Sequence, residues 1–110
     1  GVPDRIFFAT NKSSLTTASR ATLRKQANYL RKNKNLNVTI EGHADERGTR
    51  EYNLALGERR ANAARDYLMT YGISGKRISV ISYGKEKPVN PASTPLAWSQ
   101  NRRSVTIKVN

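Results

Sequence analysis

Two kinds of periodicity alternate along this chain, and their order limits the fold more than any other feature of the sequence. Leu36, Val38 and Ile40 alternate with Asn37, Thr39 and Glu41, the period-2 pattern of a half-buried strand. Before it, from about Thr17 to Lys32, Leu23, Ala27 and Leu30 recur at helical spacing while Arg20, Arg24 and Arg31 take another face. After it, from about Glu51 to Tyr71, Leu56, Ala63, Ala64, Tyr67 and Leu68 mark the core side of a second helix, and Gly72 stands where a left-handed residue would end it. Arg5-Ile6-Phe7-Phe8 is a short apolar run expected to form a buried strand. Period-2 alternation returns over Ile78 to Tyr83 and again over Ser104 to Val109. Between these runs Gly84, Pro88, Pro91 and Pro95 punctuate a loop, and a short helical turn is expected at Leu96, Ala97 and Trp98. The order is thus β-α-β-α-β-(short α)-β. Strands alternating with helices require crossovers that pack on a sheet face. The expected fold class is an α/β (α+β) two-layer sandwich, with helices on one face of a small mixed sheet.

At 110 residues the chain is long enough to bury one core, and a single domain over 1–110 is expected. It has no cysteine, which excludes a disulfide framework and thiolate metal sites. No apolar run approaches the roughly 20 residues that cross a bilayer, and Gly1-Val2-Pro3-Asp4 lacks the basic and apolar regions of a signal peptide. Any export signal is therefore expected upstream. Twenty Lys and Arg against eight Asp and Glu give a net charge of +12, which attracts polyanions. The charge is unevenly spread. From Arg5 to Ile40 there are eight basic residues and no acid, whereas Glu41, Asp45, Glu46, Glu51, Glu58 and Asp66 follow in the next segment.

The loop between the second strand and second helix reads Gly42-His43-Ala44-Asp45-Glu46-Arg47-Gly48-Thr49-Arg50. Ligands of open α/β sheets tend to bind outside the carboxyl ends of strands, and this loop leaves such an end. Arg60 lies on the following helix among core-like neighbours, Leu56 before it and Ala63 and Ala64 after, so it is expected to point partly inward, toward Asp45. A carboxylate and a guanidinium facing one crevice match a zwitterion: the first accepts from an ammonium, and the second forks onto a carboxylate. The competing reading is that Asp45 and Arg60 form an internal ion pair with no ligand role.

Val38 to Ala63, with Gly42-His43-Ala44-Asp45-Glu46-Arg47-Gly48-Thr49 at its centre and Gly57-Glu58-Arg59-Arg60 on its helix, resembles the motif of the OmpA-like family, in the version carried by peptidoglycan-associated lipoproteins. Ile81-Ser82-Tyr83-Gly84-Lys85-Glu86-Lys87-Pro88 and Asn101-Arg102-Arg103-Ser104-Val105 resemble that family's later landmarks in order and spacing. The resemblance covers nearly the whole chain. It implies an OmpA-like fold and non-covalent binding of peptidoglycan stem peptide through its diaminopimelate. It implies binding roles for Asp45 and Arg60 first, then Arg47, Asn53 and Leu56, with Phe8, Ala9, Thr10 and Asn11 forming a wall of the pocket. It further implies a lipidated cysteine and linker upstream, a position on the periplasmic side of a Gram-negative outer membrane, and a TolB-like periplasmic partner of the Tol system. The chain departs from the family pattern at Ala9 and Asn11, where many relatives carry acids.

Blander readings accompany the other conspicuous residues. His43 and Asp45 fall short of a metal-ligand set, so His43 is expected to be packed or hydrogen-bonded at the strand end. Arg102 and Arg103 could grip phosphate, but on a strand they should point to opposite faces, so at most one joins the pocket side, and a structural role bonding loop carbonyls is expected. The basic face of the first helix (Arg20, Arg24, Lys25, Arg31 and Lys32) reads as a solvated face, Trp98 as a cap over the core, and Tyr67 and Tyr71 as core. A nucleic-acid-binding α/β domain would suit the charge but needs exposed strand aromatics. Phe7 and Phe8 lie in a run expected to be buried, so no nucleic-acid partner is expected. No catalytic set, phosphate loop or cofactor motif is present, so an enzyme is not expected, and no cofactor or metal is called for.

Overall fold

A computed structural model describes residues 1–109 and contains one four-stranded sheet and three α-helices. The strands are β1 (Arg5–Phe7), β2 (Val38–His43), β3 (Ile78–Gly84) and β4 (Arg103–Lys108), in the spatial order β1-β4-β2-β3. β2 and β3 are parallel, while β4 runs antiparallel to both β1 and β2. The sheet is mixed, as expected, because the last strand inserts between the first two.

The helices are α1 (Thr17–Lys32), α2 (Arg50–Thr70) and α3 (Pro95–Asn101). α1 starts where the Thr16 side chain accepts from the Ser19 N–H, and it buries Leu23, Ala27 and Leu30 at helical spacing. α2 is capped in the same way by Thr49, which accepts from the Tyr52 N–H. Its buried stripe is Asn53, Leu56, Gly57, Arg60, Ala61, Ala64 and Leu68. Ala61 rather than Ala63 faces the core, and Tyr67 and Tyr71 are only partly buried against it. Gly72 follows α2 with φ +86°, in the left-handed region. α3 opens with Thr94 as cap and Pro95 in the first turn, where a missing N–H costs nothing. A 3-10 turn over Gly75–Arg77 has no periodic signal in the sequence.

Phe7 departs from the buried-strand expectation. It is 46% exposed, whereas Ile6 and Phe8 are buried, because β1 has helices on one face only and alternate side chains must face outward. The core lies between the sheet and α1–α2, built from Ile6, Phe8, Leu23, Ile40, Leu68 and Ile73 with their neighbours.

α2 approaches β2 unusually closely through two glycines. A Cβ on Gly42 would fall inside the carbonyl of Gly57, and one on Gly57 would overlap the Ser82 hydroxyl. Backbone cannot retreat as a side chain can, so Gly42→Ala should push α2 off the sheet. The expected loss is about 3 kcal/mol, at the upper end of the range for overpacking, read as a lower denaturant midpoint.

Candidate binding cleft

β2 delivers the cleft. His43 ends the strand, fully buried, with Nε2 3.0 Å from Glu41 Oε1 and its ring stacked on Tyr83. Burial and the nearby Arg103 hold the imidazole pKa below its ordinary value. The chain continues through Ala44, whose N–H donates to the Gly84 carbonyl at 2.8 Å, and then turns at Asp45. The Asp45 carboxylate accepts from the Arg47 backbone N–H at 3.0 Å, and this local ring sets the turn. Gly48, with φ +96°, completes the reversal, and Thr49 starts α2.

Further contacts hold this loop from outside. Asn53 is buried and donates to the carbonyls of Arg47 and Thr49. Lys85 Nζ donates to the Gly48 carbonyl at 2.6 Å. The Glu46 carboxylate accepts from the Trp98 indole N–H at 2.8 Å and from the Ser93 hydroxyl at 3.0 Å. Those two hydrogen bonds keep Glu46 below its usual pKa. Trp98 is thus half-exposed beside the loop, with the Arg47 guanidinium 4.2 Å over its ring, rather than capping the core. An indole N–H needs an acceptor, and Glu46 supplies one at the loop.

Asp45 sits at the base of a cleft lined by Thr10, Asn11, Asp45, Arg47, Gly48 and Tyr52, and is itself only 7% exposed. Its partners are Arg47, with Nη2 at 2.8 Å and Nε at 3.1 Å, and Arg102, with Nη1 at 3.5 Å. Burial pushes its pKa up, but the Arg47 and Arg102 hydrogen bonds outweigh burial and leave it below the usual carboxylate value.

Arg60 is 0% exposed and makes no ion pair with Asp45 among the described residues, so the simple internal pair is not what forms. Its Nε donates to the Lys12 carbonyl at 2.9 Å, Nη1 to that of His43 at 2.8 Å and Nη2 to that of Ala9 at 3.2 Å. One N–H on each terminal nitrogen is left over. The guanidinium lies 5.2 Å over the Phe8 ring. Burial, with Arg102 nearby, brings its pKa down to about 10, so it remains cationic at neutral pH. Arg60 therefore binds the β1–α1 loop to the end of β2, and so holds one wall of the cleft beside its floor.

Of the residues singled out from the sequence, Thr10, Asn11, Asp45 and Arg47 meet at the cleft. Asn11 holds the turn of its wall at φ +58°, left-handed and tolerable for Asn. Phe8 and Ala9 lie next to Arg60, Asn53 braces the loop, and Leu56 is buried at 3% exposure. Sequence reasoning missed Tyr52, and it allowed at most one of Arg102 and Arg103 on the pocket side without choosing between them; the structure brings Arg102 there. Tyr52 was visible in principle, since it precedes Leu56 and Arg60 at intervals of four on one helical face. Arg102 comes into range because its segment reaches the end of β1, where its Nε donates to the Phe8 carbonyl at 2.8 Å. Arg103 instead bonds the carbonyls of Asn101 and Lys87.

The OmpA family model matches residues 7–102. A peptidoglycan-associated lipoprotein of Rhizobium meliloti (strain 1021) is 59% identical over 106 residues, 96% of this chain and 60% of that protein. Its counterpart in Brucella melitensis biotype 1 is 53% identical, over 96% of this chain and 63% of its own length. The chain thus spans a little over half the length of these curated relatives. The crystal structure of the peptidoglycan-associated lipoprotein from Burkholderia pseudomallei superposes with a TM-score of 0.94 at 37% identity, covering 96% of this chain and 90% of that one. The C-terminal domain of Helicobacter pylori MotB shares the fold, with a TM-score of 0.89 at 19% identity over 97% of this chain and 84% of that one.

Proposed function

The chain belongs to the OmpA family, and on that premise we propose that it is a non-catalytic anchor holding peptidoglycan on the periplasmic side of an outer membrane. The guest is the stem peptide, and the group read is the zwitterionic end of diaminopimelate, which carries an amine and a carboxylate on one carbon. The observation carrying this reading is Asp45: a nearly buried carboxylate at the base of an open cleft, kept ionised by guanidinium groups.

In the free protein Arg47 occupies the Asp45 carboxylate, and its side chain is 42% exposed. An exposed ion pair adds little stability and exchanges readily. The guest ammonium takes the place of Arg47 on Asp45. The guest carboxylate then meets the released Arg47 and Arg102, with the cationic Arg60 buried nearby. Thr10, Asn11 and Tyr52 supply neutral hydrogen-bond partners at the rim. Most of the crevice is preformed, which limits the ordering cost of binding. Anchoring by a lipid upstream, membership of the Tol system and a TolB-like partner at an overlapping surface belong to the same proposal. The relatives' names, peptidoglycan-associated lipoprotein, support it.

Cosedimentation with purified sacculi tests it. The chain should pellet with diaminopimelate-type walls and be released by the soluble muropeptide. A chain that stays in the supernatant, or one that pellets equally with lysine-type walls, would sink the proposal.

A further inference from the structure

The two ends of the sheet differ in charge. β2 and β3 begin side by side at Val38 and Ile78, and β4 ends opposite them at Lys108. α1 finishes at this same end, where Arg77 donates to the carbonyls of Leu30, Asn33 and Leu36. Arg31, Lys32, Lys34, Lys76, Arg77 and Lys108 therefore gather there. The cleft lies at the opposite end, where charges are mixed: Asp45, Glu46, Glu51 and Glu86 are interspersed with Arg47, Arg50, Lys85 and Arg102, and Asp45 and Glu86 are each ion-paired with arginine. Acids close to the basic end are Asp4, paired with Arg5 and lining the same hollow as Lys108, Glu41, bonded to His43, and Asp66, near the end of α2. Among the described residues, none of the six gathered cations is ion-paired with a carboxylate.

This basic end also carries apolar surface. Met69 is 40% exposed beside Gly75, and Val109 is 57% exposed where its N–H meets the Asn37 carbonyl. Val2, 40% exposed, lines a hollow with Tyr29, Leu36 and Lys108. Arg31 covers the Tyr71 ring at 5.6 Å, and Lys108 covers Tyr29 at 4.9 Å.

We propose that this end is a docking face for an anionic phospholipid surface. Flexible cations can converge on a plane of phosphate headgroups without a fixed stereochemistry. Exposed aliphatic side chains beside half-buried tyrosines suit the depth of a headgroup layer. The phenol rings already lie under cations, so they are not free to stack bases, which argues against single-stranded nucleic acid. The inference rests on the anchoring reading for its setting: with the basic end on lipid, the cleft faces away from the membrane, toward the wall.

The test is flotation of the chain with vesicles of phosphatidylcholine plus phosphatidylglycerol, against phosphatidylcholine alone, at rising salt. Two charge-matched variants accompany it, Lys34→Glu/Lys76→Glu at the basic end and Lys25→Glu/Arg59→Glu on the helix flanks. The wild type should bind only the anionic vesicles. The end variant should bind at least about tenfold more weakly, since each surface cation is worth roughly fivefold, while the flank variant changes much less. Equal loss in both variants would reduce the effect to net charge and overturn the proposal, as would unchanged binding by the end variant. Single-stranded RNA binding that only the end variant loses, without vesicle binding, would replace it with the nucleic-acid reading. Wall cosedimentation of the same variants is expected to be unchanged, so failure here is separable from failure of the anchoring reading.

Discussion

Arg60→Ala is expected to lose about 4 kcal/mol of folding stability, and wall binding with it. The side chain is fully buried, and its three donor nitrogens satisfy carbonyls at Ala9, Lys12 and His43. Truncation takes that partner from the Lys12 and His43 carbonyls, leaves the Ala9 carbonyl with only the Lys12 N–H, and opens a void above Phe8. Each unsatisfied buried group costs about 1–3 kcal/mol, though water entering through the cleft recovers part of that. Against a total of about 5–15 kcal/mol for a domain, the loss is large. A role limited to gripping ligand would leave stability untouched, so equilibrium denaturation separates the two readings. Arg60→Lys sharpens the comparison. It retains the charge but cannot reach three carbonyls in one plane, so it too should unfold at distinctly lower denaturant.

Asp45→Ala should reverse that profile, with the fold retained and binding weakened by roughly 10–100-fold, the worth of a charge-assisted hydrogen bond. The carboxylate holds a turn through the Arg47 N–H, but its side-chain partner Arg47 is already part-exposed and can turn to water. Asp45→Asn keeps the turn acceptor and removes the charge, so it should bind nearly as weakly as the alanine variant with a smaller change in stability. The pH dependence follows from the direction of the Asp45 shift. Against the opposing effect of burial, the Arg47 and Arg102 hydrogen bonds hold its folded pKa below the ordinary carboxylate value. Its ionised form, and the stability that its pairing supplies, are therefore present above that value and are lost as pH falls through the lowered pKa. Binding should hold through mildly acidic pH and decline only below the ordinary carboxylate range. Loss of binding by wild type already near neutrality, with the fold intact, would show that another group controls recognition.

Much of the fold could be read from local pattern. α1 runs from Thr17 to Lys32 as its periodicity indicates, because a threonine cap fixes its start, Asn33 caps its end and a three-point apolar stripe sets its face. β2 starts two residues later than the alternation suggests, at Val38. The carbonyl of Leu36 is taken by Arg77, and the ladder begins only where Lys108 and Ile78 supply partners. The insertion of β4 between β1 and β2 has no local signature, and with it went the placement of Arg102 at the Asp45 carboxylate.

The site was legible as a loop and less so as a set of pairings. Asp45 and Arg60 were read as facing groups, yet Arg47, two residues along, took the carboxylate. A partner so near closes almost no loop and meets the carboxylate at little entropic cost, whereas a buried helical arginine is first claimed by the carbonyls around it. Trp98 followed the same logic: the aromatic ring suggested core, and the indole N–H drew it to Glu46. Periodicity reports which face is apolar. It carries no information on which acceptor a long polar side chain will reach.

The central claim is that the cleft reads a zwitterion, and calorimetric titration with a diaminopimelate-containing muropeptide beside its lysine-containing counterpart tests it most directly. The two guests differ in the carboxylate that the guanidinium groups around Asp45 are proposed to meet. Saturable one-to-one binding of the first, with the second at least about tenfold weaker as one lost charge-assisted contact requires, is the predicted result. Equal affinity for both, or binding to neither, would contradict it.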